Sequence, residues 1–341
     1  MIFRASFLLI ALVLINPLIS PTSLAVTLPV QNPLIVDMIQ KIDQGEIYNT
    51  VYSLQNCTTR YYGYPGNTEA ATWLYNKLSS IPRLKVEYQG GEIRNVIAAL
   101  PGLDKTSSDI CIVGAHYDSE NSADLSDSPG ATDNGGGVAI VLELARIMSQ
   151  YTFNHTIIFA LWNAEEGGAS KAGSSIYADY ATANKLNISL YFNFDSSCYD
   201  PDNHFILDIM YNNQSQWVSD MMTQDNSIYE IGFNLTYNVH ITHESDHRTF
   251  WDHGYTAVMT HEENHGPAHS KYDTIDEVSI PYAKKNGQLG MSVLAEISEV
   301  IANSGADQTT TVNSTLTIGI VIVVIVVITR GILMFLKRKA F

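Results

Sequence analysis

Histidine and acidic residues directly follow three apolar segments of this 341-residue chain. His116 and Asp118 come after the first segment, and the adjacent pair Glu165 and Glu166 comes after the second. Asp195 ends the third. Imidazoles and carboxylates bind divalent metal ions and move protons in catalysis. If the three segments are parallel strands of one sheet, these side chains meet at one edge and form a negatively charged site that needs cations.

Two of these motifs have a spacing that suits metal chemistry. Residues two apart on a strand share a face, so Asp118 can accept a hydrogen bond from the ring of His116 and fix its tautomer. Adjacent acids at a strand end point in different directions, so one of Glu165 and Glu166 can bind metal while the other acts as a general base. The alternatives are a surface polar pair and an exposed acidic turn.

A glycine-rich segment, residues 129–137, carries a further carboxylate before a helical pattern. Asp133 within it either caps that helix or presents both oxygens to two ions. Asp195 has its own simpler interpretation as the residue that ends a strand.

Three histidines lie four residues apart near the end of the globular region: His261, His265 and His269. Gly266-Pro267 interrupts any helix there, so they cannot all act from one helical face. His269 is the strongest candidate of the three, because Asp273 follows it four residues later.

The elements that must position these residues alternate along the chain. Helical spacing covers residues 34–80. Five apolar strand candidates follow, at residues 95–100, 110–113, 156–161, 190–194 and 256–259. Helical patterns lie between or after them, at residues 135–148, 174–184, 214–224 and 281–302. Near-continuous apolar strands alternating with helices predict a single α/β/α domain with a mixed, mostly parallel central sheet, spanning residues 26–302.

Charge and composition exclude several protein classes. Lys and Arg number 19 against 35 Asp and Glu, which argues against nucleic-acid binding because that needs a basic face. Apolar residues make up 45% of the chain, so most of it is not disordered. The three cysteines are too few for a disulfide scaffold and lack zinc-finger spacing.

Both ends of the chain resemble targeting segments. Residues 1–25 have the positive start, apolar run and small residues of a signal peptide. Leu316 to Leu336 is mostly apolar, and 21 residues at about 1.5 Å each span about 31 Å, one membrane thickness. A polar stalk, residues 303–315, precedes this span, and a basic tail, residues 337–341, follows it. The sequence therefore predicts a single-pass cell-membrane protein with its globular domain outside and its C-terminus in the cytoplasm.

Asn-x-Ser/Thr sequences predict glycan attachment on an exported chain. Six such sites begin at Asn56, Asn154, Asn187, Asn213, Asn234 and Asn313.

With its motifs in this order, the chain resembles the co-catalytic di-zinc exopeptidase family that includes bacterial leucine aminopeptidases, aminopeptidase Y and glutamate carboxypeptidases. The shared segments run from residue 95 to residue 274. The resemblance implies two zinc ions, the first bound by His116 and Asp195, the second by Glu166 and His269, with Asp133 bridging both. It further implies Glu165 as the general base, Asp118 as the partner of His116, and His247 as a residue near the substrate or supporting a ligand.

Two departures from the family pattern bear on this site. Gly173-Ser174 comes two residues later after Glu166 than is usual, so the loop that carries the base is altered. Ala268 and Ser270 flank His269 where the family has Tyr and Thr.

The resemblance favours an aminopeptidase acting on peptides. A free α-amine is a cation and this site is anionic, which agrees with removal of N-terminal residues. Cobalt or manganese would also accept the predicted donor set of two imidazoles and three carboxylates. The alternatives are a glutaminyl cyclase-like transferase with one zinc ion and a receptor-type ectodomain without activity.

Overall fold

The computed structural model describes residues 30–167, 173–239, 245–262, 264 and 266–302. The predicted signal peptide, stalk, membrane-spanning segment and tail lie outside these residues, as does Asn313. Within the described part of the chain, no helix has the length and apolar character needed to cross a bilayer.

Eight helices and ten strands make up the described domain. The helices are α1 Pro33–Gln40, α2 Gln44–Gln55, α3 Pro65–Ser79, α4 Gly136–Met148, α5 Gly173–Ala183, α6 Gln216–Ile228, α7 Asp246–Asp252 and α8 Ile280–Ile297. The strands are β1 Lys85–Gln89, β2 Asn95–Leu100, β3 Asp109–His116, β4 Thr152–Phe153, β5 Thr156–Trp162, β6 Asn187–Phe194, β7 Ile206–Met210, β8 Asn234–Asn238, β9 Ala257–His261 and β10 Val300–Ile301.

The central sheet has eight of these strands in the order β1-β2-β5-β3-β6-β9-β7-β8. Its middle is parallel, with β5, β3, β6 and β9 aligned in one direction. Antiparallel pairing joins β1 to β2, β2 to β5 and β7 to β9, while β7 and β8 are parallel to each other. The sheet is therefore mixed and mostly parallel, as the alternating pattern predicts.

Helices cover both faces of the sheet, which explains why its central strands are apolar on both sides. The larger core lies between the sheet and α1, α2, α4 and α8, and it includes Val113, Phe159 and Phe192. On the opposite face, α5 and α7 pack on a smaller aromatic cluster around Trp162 and Tyr191. A strand that is buried on both faces is exposed to solvent only at its ends, so polar side chains are concentrated there.

Five strands and one helix end were not predicted; the strands are β1, β4, β7, β8 and β10. β1 and β8 are edge strands with mostly exposed or half-exposed residues, and they lack the apolar run of a central strand. The helical pattern at residues 281–302 ends at Ile297, because Glu299 adopts a left-handed φ of 54°. Val300 and Ile301 then pair with Phe153 and Thr152 as a separate two-stranded sheet.

Candidate metal centre and active site

Three neighbouring parallel strands bring the predicted site residues to one edge of the sheet. β3 lies between β5 and β6, and its last residue is His116. β5 ends three residues before Glu165, and β6 ends one residue before Asp195. The carboxyl ends of β5 and β6 therefore place acidic groups on both sides of one imidazole.

Three groups of potential metal ligands form at this edge: one of them is His116, Glu165 and Glu166, and the other two share Asp133. In the first of the two that share Asp133, Nε2 of His116 lies 3.2 Å from Oδ1 of Asp195 and 3.3 Å from Oδ1 of Asp133. In the second, Nε2 of His269 lies 3.0 Å from Oε2 of Glu166 and 3.1 Å from Oδ2 of Asp133. Within each group the ligand atoms lie within 4.8 Å of one another, as ligands of a single ion must.

Asp133 belongs to both groups and turns one oxygen toward each imidazole. Its carboxylate is 7% exposed, so these two histidines replace water around it. The donors of the two groups together are two imidazoles and three carboxylates. Nitrogen and oxygen ligands in this number fit zinc, and one carboxylate shared by two groups is the arrangement that a two-metal site requires.

Asp273 fixes the backbone at Asp133 by accepting hydrogen bonds from Thr132 and Asp133. One of its oxygens accepts the N–H of Thr132 at 2.6 Å and the Thr132 hydroxyl at 2.7 Å. The other accepts the N–H of Asp133 at 3.0 Å. The carboxylate four residues after His269 therefore fixes the position of the shared ligand, which the sequence spacing alone did not reveal.

Arg60 fixes the other end of this loop. Its guanidinium is completely buried and donates to the carbonyl oxygens of Tyr117, Pro129 and Gly130. Gly130 has a left-handed φ of 55°, and a Cβ there would lie 2.8 Å from the guanidinium, so the tight contact requires glycine. Sequence reasoning missed Arg60, because no local pattern distinguishes it.

Asp118 connects the end of β3 to the loop after β5. Its Oδ1 lies 3.5 Å from Nδ1 of His116 and accepts the N–H of Glu165 at 3.2 Å. Its Oδ2 accepts the N–H of Glu166 at 3.0 Å. Nδ1 of His116 also lies 3.3 Å from the backbone carbonyl oxygen of Asp118. Asp118 therefore orients the first imidazole through its carbonyl and its carboxylate, and the two adjacent glutamates through its carboxylate.

The segment before α7 supports Asp195. The hydroxyl of Ser245 donates to Oδ2 of Asp195 at 2.5 Å, and the Asn193 side chain donates to that hydroxyl. His247 is fully buried, and its ring packs edge-on against Trp251. Ser245, which the sequence analysis did not assign a role, thus contacts a candidate ligand.

His261 and His265 differ from His269 in placement. Nδ1 of His261 lies 3.4 Å from the backbone carbonyl of Asp195, and His261 is in neither of the two groups that contain Asp133. His265 lies outside the described residues. Of the described candidates, His269 is the histidine that the structure brings to Glu166 and Asp133.

Backbone strain surrounds the site. Ala164 precedes Glu165 with a φ of 62°, Ser196 follows Asp195 with a φ of 43°, and His269 itself has a φ of 56°. Such left-handed conformations are unfavourable for residues other than glycine and concentrate at functional sites.

The carboxylates hold both imidazoles in their positive form. Burial alone would lower the pKa of His116, but the charge of Asp195 and hydrogen bonds to carboxylates raise it well above its usual value. Hydrogen bonds to Asp133 and Glu166 raise the pKa of His269 to about 11. The site therefore recruits positive charge, which metal ions supply in place of the protons.

In Glu165 and Glu166, by contrast, burial is the main cause of the raised pKa values, and it favours the neutral form. Burial and the charge of Asp133 raise the pKa of Glu166 to about 8. Burial also raises the pKa of Glu165 well above its ordinary value. A carboxylate with a raised pKa accepts a proton readily, which is what a general base requires.

The family model for peptidase family M28 matches residues 95–312, more than half of the chain. The chain therefore belongs to peptidase family M28. The matched region begins at β2 and includes all five candidate metal ligands.

Sequence relatives of this M28 chain carry aminopeptidase names. A probable leucine aminopeptidase of Trichophyton verrucosum is 34% identical over 147 residues, which cover 38% of each chain. The match thus spans well under half the length of this relative. A probable aminopeptidase of Saccharomyces cerevisiae is 25% identical over 286 residues, covering 76% of this chain and 75% of the relative.

Solved structures share the fold. LapB of Legionella pneumophila superposes with a TM-score of 0.70 at 17% identity, covering 80% of this chain and 77% of its own. A zinc aminopeptidase of Bacillus subtilis gives 0.53 at 26% identity, covering 62% and 53% of the two chains. A glutaminyl cyclase of Fimbriiglobus ruber gives 0.61 at 18% identity, covering 74% and 95%, so the fold alone does not separate the two reactions.

Proposed function

We propose that this M28 chain is a zinc-dependent aminopeptidase that hydrolyses the N-terminal peptide bond of peptides. The observation that carries the proposal is the position of Asp133, whose two oxygens lie 3.3 Å and 3.1 Å from two different imidazoles. Each imidazole has a further carboxylate beside it, which supports a site for two ions. Family membership and the names of its relatives support the same activity.

His116, Asp133 and Asp195 would hold one zinc ion, and Asp133, Glu166 and His269 the other. Bound there, the ions would supply Lewis-acid polarisation and charge stabilisation. Glu165 would take a proton from the attacking water as its oxygen bonds to the carbonyl carbon. The same carboxyl group would then give that proton to the leaving nitrogen as the C–N bond breaks.

The remaining residues keep this machinery in place. Asp118 orients Glu165 through its backbone N–H and His116 through its ring. Asp273 and Arg60 hold the loop that presents Asp133. The excess of carboxylates favours a substrate with a cationic end, which a peptide's free α-amine provides.

Hydrolysis of aminoacyl-p-nitroanilides by purified protein, with and without a chelator, tests the proposal. We expect activity that the chelator removes and added zinc restores, with N-acetylated substrates left uncleaved. Metal analysis should give two zinc ions per chain. One ion per chain, with cyclisation of N-terminal glutamine instead of hydrolysis, would identify a glutaminyl cyclase. A chain that binds zinc but turns over neither substrate would be a receptor-type ectodomain.

We further propose that the domain is exported and glycosylated, with a C-terminal anchor at residues 316–336. The support is the apolar and charged sequence at the two ends, together with the surface positions of the five described sequon asparagines, of which Asn154 is half-buried and the others exposed. Protease added to intact cells would remove the domain if it faces outward. Protection of the domain until the cells are lysed would contradict this topology.

A further inference from the structure

Two buried polar side chains precede the candidate zinc ligand Asp195 along β6. Residues two apart on a strand share a face, so Tyr191, Asn193 and Asp195 are aligned on one side. The alternate residues Phe192 and Phe194 pack into the larger core on the other side. Tyr191 and Asn193 are completely buried. A buried hydroxyl or amide is costly unless it is hydrogen-bonded, so both side chains need partners within the protein.

Four hydrogen bonds connect these side chains in one series to Asp195. The indole N–H of Trp162 donates to the hydroxyl of Tyr191 at 2.8 Å, and that hydroxyl donates to Oδ1 of Asn193 at 2.8 Å. Nδ2 of Asn193 donates to the hydroxyl of Ser245 at 2.9 Å, and that hydroxyl donates to Oδ2 of Asp195 at 2.5 Å. These four bonds form the β6 relay, which runs from the smaller aromatic cluster to the edge of the sheet that carries the candidate ligands.

The chemistry of the two ends fixes the direction of the β6 relay. An indole N–H can only donate, and an ionised carboxylate can only accept. The Tyr191 hydroxyl therefore accepts from Trp162 and directs its one proton to the amide oxygen of Asn193. Burial raises the pKa of Tyr191 well above its ordinary value, so the hydroxyl keeps this proton. The amide nitrogen of Asn193 then faces Ser245, whose own proton is directed to Asp195.

Gly114 on β3 gives the first bond of the β6 relay its path. β3 lies between β5, which ends at Trp162, and β6, which carries Tyr191. A Cβ on Gly114 would lie 2.8 Å from Nε1 of Trp162 and 3.2 Å from the ring of Tyr191, so a side chain there would crowd both groups. The bond between Trp162 and Tyr191 therefore crosses the middle strand at a position that requires glycine.

We propose that the β6 relay makes Tyr191 a positioning residue for the candidate zinc ligand Asp195. This inference rests on the proposed function, because it takes Asp195 as a ligand of zinc. The relay occupies Oδ2 of Asp195 with a donor and leaves Oδ1, which lies 3.2 Å from Nε2 of His116, for the ion. Removal of the Tyr191 hydroxyl frees the Asn193 amide to turn its oxygen toward Ser245. The Ser245 proton would then point to that oxygen, and Asp195 would lose this donor.

The zinc affinity of the full-length protein, measured by competition with a chromogenic chelator, tests this role without any turnover. Tyr191→Phe should weaken zinc binding about fivefold, and Ser245→Ala about 10–100-fold, since Ser245 contacts the ligand itself. The double variant should bind zinc within about twofold of Ser245→Ala, because Tyr191 acts through Ser245 and residues of one hydrogen-bond network are not additive. Independent contributions would instead multiply the two factors.

Tyr177→Phe is the matched control. Tyr177 packs against Trp162 in the same buried aromatic cluster, with 5.2 Å between the ring centroids, but its hydroxyl is not part of the β6 relay. Loss of this hydroxyl should leave the zinc affinity unchanged. Ser245→Thr keeps the donor hydroxyl and should also bind zinc like the wild type.

The inference is overturned if Tyr191→Phe binds zinc like Tyr177→Phe, or if the effects of Tyr191→Phe and Ser245→Ala multiply. If Ser245→Ala fails to fold, the comparison of Tyr191→Phe with Tyr177→Phe decides the question. A wild-type protein that binds zinc but hydrolyses no peptide would contradict the proposed activity and leave the result for Tyr191 standing. A wild-type protein that binds no zinc would overturn both proposals.

Discussion

The carboxylate of Asp273 accepts a hydrogen bond from the backbone N–H of Asp133 at 3.0 Å. The two residues are far apart in the chain, yet this bond sets the direction of the carboxylate shared by the two candidate zinc groups. A second oxygen of Asp273 holds Thr132, so both backbone amides of the loop are fixed by one side chain.

Replacing Asp273 should therefore weaken zinc binding without removing a ligand. An amide nitrogen cannot accept the N–H bonds, so Asp273→Asn breaks one side of the support. We expect zinc affinity to fall about 10–100-fold, as for other residues that orient metal ligands, measured by competition with a chromogenic chelator. The exposed Asp276→Asn should bind zinc like the wild type. Equal affinities for all three proteins would contradict the role of Asp273.

Loss of Arg60 should destabilise the fold. Arg60→Met leaves three buried carbonyl groups without their donor, at about 1–3 kcal/mol for each unsatisfied group. We expect the free energy of unfolding to fall by at least about 3 kcal/mol in urea titrations with zinc present. Arg248→Met removes a surface ion pair with Asp252 and should cost at most about 1 kcal/mol. Similar losses for the two variants would show that the buried guanidinium has no special role.

Substitutions of the two adjacent glutamates should separate a loss of catalysis from a loss of metal binding. Glu165→Gln removes the proposed base, so kcat should fall about 10²–10⁴-fold while the zinc content remains unchanged. Glu166→Gln weakens a proposed ligand and should release zinc first. Steady-state kinetics together with metal analysis distinguishes these results. Near wild-type turnover in zinc-loaded Glu165→Gln would exclude the proposed mechanism.

Zinc affinity should rise with pH. Without metal, the raised pKa values of His116 and His269 keep both imidazoles protonated at neutral pH, so each ion must displace a proton. We expect the apparent association constant to increase about tenfold per pH unit for each proton released, between pH 6 and about pH 8. Chelator competition across this range measures the slope. A flat profile would show that the imidazoles are neutral before metal binds.

Asp225 should make the folded state less stable as pH rises. Burial raises its pKa to about 7, and its Oδ2 makes no hydrogen bond to a described residue. The folded state disfavours the charged form, so stability is lost as pH increases from about 4 to about 7. Asp225→Asn should therefore be more stable than the wild type at pH 8, by up to about 4 kcal/mol, with little gain at pH 4.

Urea unfolding of both proteins at the two pH values gives this difference directly. Asp220→Asn on the same helix is the control, because its side chain is exposed and should give a curve parallel to that of the wild type. A constant difference between Asp225→Asn and the wild type at all pH values would show that ionisation of Asp225 is not the cause.

Sequence patterns predicted the parts of the fold that are buried on two faces. The central strands β2, β3, β5, β6 and β9 are continuous apolar runs, and each lies where the pattern placed it. β8 contains Asn, Thr and Tyr at exposed positions, and its pairing with β7 comes from tertiary contacts rather than from a local apolar signal. Edge strands of this kind are the least visible in a single sequence.

The candidate ligands were accessible from the sequence because each follows a recognisable strand or glycine-rich turn. The residues that hold these ligands in place could not be predicted from the sequence. Arg60 is an isolated basic residue whose three acceptors are backbone carbonyls, which have no sequence signature. Ser245 and Asp273 act through hydrogen bonds that exist only after distant segments meet.

The order of the candidate ligands along the chain has a consequence for synthesis. His116 emerges early, but His269 emerges only after the last strand of the central sheet has been made. A nascent or truncated chain that stops at β9 lacks the imidazole that contacts the Glu166 carboxylate, so it carries only the first of the two groups that share Asp133. The second group of candidate zinc ligands is therefore incomplete until translation has passed residue 269.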